Sequence, residues 1–178
     1  MPFAIQLFLD TTSDMAVRSV WEELASTGVA SYMRDSGNRP HFSLAIYSEL
    51  NVPVSVSLLK SFAETLSPFA LPIASLGVFP SEQAVVFLAP IVSPSFLDLH
   101  MQVHQLLQDA GVSPALRYLP GNWTPHCTLA MRLPPQLSSQ AVEICLGMPF
   151  PMRVYVEEIG VIEYPPVKHL FSFRLTGG

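Results

Sequence analysis

One seven-residue phrase occurs twice in this chain. Pro40-His41-Phe42-Ser43-Leu44-Ala45-Ile46 and Pro125-His126-Cys127-Thr128-Leu129-Ala130-Met131 share one order: Pro, His, apolar, hydroxyl, Leu, Ala, apolar. Each copy is an apolar run with Pro at its entrance and no Gly inside, which predicts a short strand. Alternate side chains on a strand share a face. His41 is therefore expected beside Ser43 and His126 beside Thr128, with Phe42, Leu44, Cys127 and Leu129 pointing the other way. Two such strands facing each other across a cleft would offer two imidazoles and two hydroxyls to one ligand.

The rest of the chain repeats around the phrase. Pro2 to Leu9 reads as a strand. Thr11 to Gly28 reads as a helix, capped by Thr12 or Ser13, striped by Val17, Val20, Trp21 and Leu24, and stopped by Gly28. Tyr32 to Arg39 is a polar loop carrying Arg34 and Arg39. Asn51 and Pro53 open a second helix with Leu58, Leu59, Phe62 and Leu66 inward, ended by Pro68. Phe69 to Val78 and Gln83 to Ala89 read as two strands joined by a turn. Ser93-Pro94 starts a third helix, with Phe96, Leu99, Val103, Leu106 and Ala110 as its stripe and Gly111 as its stop. A loop through Arg117, Tyr118 and Trp123 leads to the second phrase. Pro134 to Gly147 is expected as a fourth helix, and Met152 to Ile162 and Val167 to Leu175 as a closing strand pair. Helix, His strand, helix, strand, strand thus occurs twice, which predicts an internally duplicated α+β fold. No domain boundary is visible, and Pro90 to Pro94 is the expected crossover between the halves.

At 178 residues and 49% hydrophobic content, the chain suits one domain built of two small lobes. No apolar run approaches a membrane span. Met1 to Leu9 lacks a basic start and meets Asp10 too early for a signal peptide. Two cysteines, Cys127 and Cys145, do not make a disulfide framework, so a reducing cytoplasm is the simplest home. Net charge −5 with nine Lys and Arg argues against an extended nucleic-acid groove, though not against a small anionic ligand. The expectation is a monomer with no membrane partner.

Two His-x-Ser/Thr strands in a chain of this size resemble the 2H phosphoesterase superfamily. The likeness is to its 2′-5′ RNA ligase-like branch, the RNA 2′,3′-cyclic phosphodiesterases. It rests on His41-Phe42-Ser43-Leu44 and Trp123-Thr124-Pro125-His126-Cys127-Thr128-Leu129, and it extends over nearly the whole chain. The resemblance implies a two-lobed fold, with two antiparallel sheets around a central cleft, helices outside, and a terminal lobe made of N- and C-terminal pieces. Ser43 stands where many relatives carry Thr. Met131 stands where many carry Arg, and Arg132 follows it, on the face of His126, Thr128 and Ala130 if the strand alternates.

The residue types suit phosphoester chemistry. Opening a cyclic phosphodiester with water needs a base for the water proton and an acid for the leaving alkoxide. Imidazole, with an ordinary pKa near 6.5, serves as either near neutrality. The Ser43 and Thr128 hydroxyls can donate to the non-bridging oxygens, where phosphoryl transfer needs charge compensated. The scheme calls for no metal and no cofactor. The resemblance implies His126 as base, His41 as acid and a 2′-phosphate product, although the near-symmetry of the motifs leaves the opposite assignment open. The substrate expected is a nucleotide or RNA end bearing a cyclic phosphate. Ligation of RNA ends, or a non-catalytic nucleotide-binding module, are the alternatives. Arg132, Arg39, Arg117, Tyr118 and Trp123 are the candidate substrate-binding residues, the arginines with Arg34 as positive potential at the cleft mouth and the aromatics as base platforms; core packing is the other reading of Trp123. His100 and His104 have zinc-ligand spacing, but lie off the apolar stripe with no third ligand, so they read as a solvated helix face. His169 reads as structural or surface, and Cys127 as core.

Overall fold

The computed structural model describes residues 1–108 and 114–178. In chain order the elements are β1 (Phe3–Leu9), α1 (Thr11–Ser26), α2 (Tyr32–Asp35), β2 (His41–Tyr47), α3 (Val52–Ala63), β3 (Phe69–Phe79), β4 (Ala84–Pro90), α4 (Pro94–Leu106), β5 (Cys127–Leu133), α5 (Ser138–Cys145), β6 (Met152–Glu163) and β7 (Lys168–Arg174). The doubled series read from the sequence is present, and the departures lie mostly at element ends. Asp10, not Thr12 or Ser13, caps α1: its carboxylate accepts from the Ser13 amide at 3.0 Å. The Ser13 hydroxyl instead accepts from the Tyr155 amide at 3.0 Å. The stretch from Tyr32, expected as loop, closes one helical turn as α2 before Gly37 takes a positive φ of 78°. The fourth helix is shorter than expected, its entrance being a 3-10 turn over Pro135–Leu137. Ala110 and Gly111, expected in the third helix and at its stop, lie outside the described residues.

All strand pairs are antiparallel, in the order β2-β1-β6-β3-β4-β5, with β7 also on β6. The 12-residue β6 explains the two lobes. Its C-terminal part pairs with β1, from Leu9↔Val156 to Phe3↔Glu163, and with β7. Its N-terminal part pairs with β3, from Phe69↔Val156 to Ile73↔Met152. The two expected sheets are thus β2-β1-β6-β7 and β6-β3-β4-β5, sharing one strand and forming one hydrogen-bonded array. N- and C-terminal pieces build the first of them.

Alternation gives each half-sheet two faces. On β1, Ile5, Leu7 and Leu9 enter the main core, while Ala4 and Gln6 face a cavity. The helices cover the core faces, and they do so crosswise. α1, which precedes β2 in the chain, packs on β5, and α4, which precedes β5, packs on β2. Each His strand is therefore backed by the other repeat's helix. Among the described residues no helix is long and apolar enough to cross a membrane.

Candidate active site

Strict alternation breaks down just after each His-x-Ser/Thr, and in the same way. On β2 the pairing runs Gln6↔Ser43 then Ile5↔Ala45, so Leu44 is an extra, bulged residue. On β5 it runs Phe87↔Thr128 then Val86↔Ala130, so Leu129 is bulged likewise. Both leucines are buried. Each bulge shifts the phase by one. His41, Ser43 and then Ile46 line the cavity, as do His126, Thr128 and then Met131, while Ala45 and Ala130 are buried. This corrects the expectation that Ala130 shares a face with His126 and Thr128. A further shift between Ala130 and Leu133, with Arg132 at φ 56°, brings Arg132 to the cavity beside Met131.

The two imidazoles are oriented by one device. Nδ1 of His41 donates to the Arg39 carbonyl at 2.6 Å, and Nδ1 of His126 to the Thr124 carbonyl at 2.7 Å. Each acceptor lies two residues upstream. With Nδ1 bearing the hydrogen, Nε2 is left as the nitrogen free to exchange a proton in the cavity. The strands behind them are pinned by a second matched device, one that uses both tryptophans of the chain. The Trp21 indole donates to the Thr128 carbonyl at 3.1 Å, and the Trp123 indole to the Ser43 carbonyl at 3.0 Å.

Behind β2 the carbonyl of the bulged Leu44 finds donors on α4. The Nε2 atoms of His100 and His104 supply them at 3.0 and 3.2 Å, and the His100 ring stacks on Trp123 with centroids 4.0 Å apart. This overturns the reading of these histidines as a solvated face: His100 is only 2% exposed. Trp123 therefore has one face packed in the structure, although it also borders the cavity. His169 donates to the Gly37 carbonyl at 3.0 Å on the surface.

The cavity measures about 630 Å³ and is bordered by His41, Ser43, His126 and Thr128, with Gln6, Arg117, Tyr118, Trp123 and Arg132 among its other walls. Arg39 and Arg34 do not border it. The Arg39 guanidinium is bound by Glu158 at 3.0 and 3.2 Å and lies over the Phe8 ring, so only its main-chain carbonyl serves the site. Arg34 pairs with Asp35 and Glu22 on the surface. The Arg132 guanidinium sits 3.9 Å over the Tyr32 ring. Two residues that sequence reasoning passed over, Phe79 and Phe87, pack against the His126 ring with centroids 5.1 and 5.4 Å away. Gln6 was also missed, although a lone amide in an apolar strand is a signal. Among the described residues no group of three or more His, Cys, Asp or Glu side chains is arranged to hold a metal ion.

Burial lowers the His41 pKa from 6.5 to about 4, against the pull of the Arg39 carbonyl, and the charges of His126 and His169 add to the depression. Burial also lowers His126, opposed by the Thr124 carbonyl and helped by the Arg117 charge. Both imidazoles are thus neutral at pH 7, and an anion between them would draw protons onto them. Cys127, fully buried, has its thiol pushed up to about 12 by burial.

The family profile described as the 2′-5′ RNA ligase superfamily matches residues 14–167. No curated protein sequence matches. Among solved structures, TT0787 of Thermus thermophilus is similar with a TM-score of 0.65 at 20% identity, covering 99% of both chains. E. coli LigT complexed with 3′-AMP gives 0.63 at 16% identity, also covering 99% of both. Kluyveromyces marxianus Usb1 gives 0.54 at 10%, covering 98% of this chain and 97% of its own. At these identities the structures speak for the fold.

Proposed function

The chain belongs to the 2′-5′ RNA ligase superfamily, and on that footing we propose that it is a metal-independent phosphodiesterase opening a 2′,3′-cyclic phosphate of a nucleotide or RNA end. The observation that carries this reading is the matched tethering of two imidazoles by Nδ1 on the border of one cavity, each beside a hydroxyl. In this scheme water attacks phosphorus as His126 takes its proton. The P–O3′ bond breaks, and His41 protonates the departing oxygen, leaving a 2′-phosphate. Ser43 and Thr128 donate to the non-bridging oxygens as negative charge gathers there.

The electrostatics support the direction of transfer. The more depressed His41 is the stronger acid once charged, and His126 the stronger base. The charge of the bound anion raises the His41 pKa, and His41 takes up its proton from solvent as the substrate binds. Among the described residues the cavity border carries two cationic side chains, Arg117 and Arg132, which fits a small phosphodiester better than a long strand. The complex of E. coli LigT with 3′-AMP supports a nucleotide as ligand.

Purified protein incubated with a nucleoside 2′,3′-cyclic monophosphate, with and without EDTA, tests the proposal. Equal turnover in both, with a 2′-phosphate product, is expected. Turnover lost in EDTA and restored by a divalent ion overturns metal independence, and no turnover of any cyclic phosphate overturns the activity. Oligonucleotides with cyclic-phosphate and 5′-hydroxyl ends, in the same assay, would reveal joining if the chemistry runs in reverse.

A further inference from the structure

Gln6 is the residue the scheme leaves unused. It lies on β1 opposite Ser43, is 2% exposed, and borders the cavity. Its Nε2 donates to the Ser43 hydroxyl over a long 3.5 Å, and its Oε1 is buried with no hydrogen-bond partner among the described residues. A buried acceptor left without a donor is costly. The other half of the fold avoids that cost at the matching place, since the residue opposite Thr128 is Phe87, an apolar ring. The polar residue stands on the His41 side alone.

A carboxamide oxygen repels phosphate oxygens, so the donor it would meet is a ligand hydroxyl close to the phosphate. Resting on the function proposed above, we propose that Gln6 is a specificity residue whose Oε1 accepts from the ribose 3′-hydroxyl, the group released beside His41. Its Nε2 contact meanwhile leaves the Ser43 proton directed at the phosphate. The Oε1 contact forms only once O3′ has taken the proton from His41, so Gln6 recognises the 2′-phosphate product and not the cyclic substrate.

Binding of adenosine 2′-monophosphate, its 3′-deoxy analogue and inorganic phosphate, measured by calorimetry on the wild type and Gln6→Leu, tests this. The wild type is expected to bind the nucleotide about tenfold tighter than the 3′-deoxy analogue, the worth of one hydrogen bond to a buried acceptor. Gln6→Leu should bind both alike, keep its phosphate affinity within about twofold, and melt no lower than the wild type. A 3′-hydroxyl preference that survives in Gln6→Leu, or is missing in the wild type, overturns the proposal. So does an equal loss of phosphate affinity, which would mean that the amide N–H faces the phosphate. A destabilised Gln6→Leu is replaced by Gln6→Met, with the same expectation. Failure of the wild type to turn over any cyclic phosphate strikes the underlying activity instead, and the binding comparison still judges Gln6.

Discussion

His41 and His126 each give Nδ1 to a carbonyl two residues upstream, yet they sit in different surroundings, His41 opposite Phe8 of β1 and His126 against Phe79 and Phe87. Burial lowers both pKa values below 6.5, His41 to about 4. The pH profile of kcat/KM, which reports the free protein, should therefore be a bell with its optimum below pH 6.5. The kcat optimum should lie higher, because bound anion favours charged imidazole. An optimum for kcat/KM above 7 would contradict these environments. His41→Ala and His126→Ala should each lower kcat by roughly 10²–10⁴-fold, and the double variant should be little worse than either. Ser43→Ala and Thr128→Ala each remove one bond to a charged oxygen, about 1.5–3 kcal/mol of transition-state stabilisation. A substrate with an activated leaving group needs no acid, so it should rescue His41→Ala and leave His126→Ala inactive.

At the scale of elements, the site depends on two bulged strands held from behind. Bulging at Leu44 and Leu129 keeps the imidazole and hydroxyl of each motif on the cavity while the following Ala enters the core. Trp21 and Trp123 fix those strands through the carbonyls of Thr128 and Ser43. Trp21→Phe and Trp123→Phe keep a ring but orphan a carbonyl, which should cost about 1–3 kcal/mol of stability and several-fold in kcat, with the pH limbs unmoved. Melting curves and steady-state kinetics would show it. The His100 layer adds a pH dependence, since burial and the neighbouring His104 lower His100 to about 4. A histidine with a depressed folded pKa binds its proton more readily in the unfolded chain, so stability is lost as pH falls from 6.5 towards 4. His41 contributes in the same window. Urea midpoints should fall across that range, and His100→Gln, which retains a donor for Leu44, should make the fall shallower; an unchanged slope would clear His100 of the effect.

For the whole molecule, the crossed helices matter most. α1 backs β5 and α4 backs β2, while β6 belongs to both half-sheets. Neither half has a complete core face without the other's helix, so unfolding should be one cooperative step. The single-tryptophan variants Trp21→Phe and Trp123→Phe can each be followed by their own fluorescence and by circular dichroism. The two probes should give coincident transitions within each protein. Separate midpoints would show that the halves unfold independently.

The sequence by itself determined the doubled order of elements and the two motifs, because apolar periodicity, caps and the repeated phrase are local properties of the chain. It also indicated that two imidazoles and two hydroxyls could meet, because side-chain alternation holds over a few residues. Tertiary structure decided the rest. The bulges at Leu44 and Leu129 arise from register against β1 and β4, and strict alternation therefore misplaced Ala130. Arg39 looked like a cavity cation until Glu158, far along the chain, took its charge. His100 and His104 looked solvated because nothing nearby in sequence tells of the Leu44 carbonyl that they serve. In each case the deciding partner is remote in sequence, and only folding brings it within hydrogen-bonding distance.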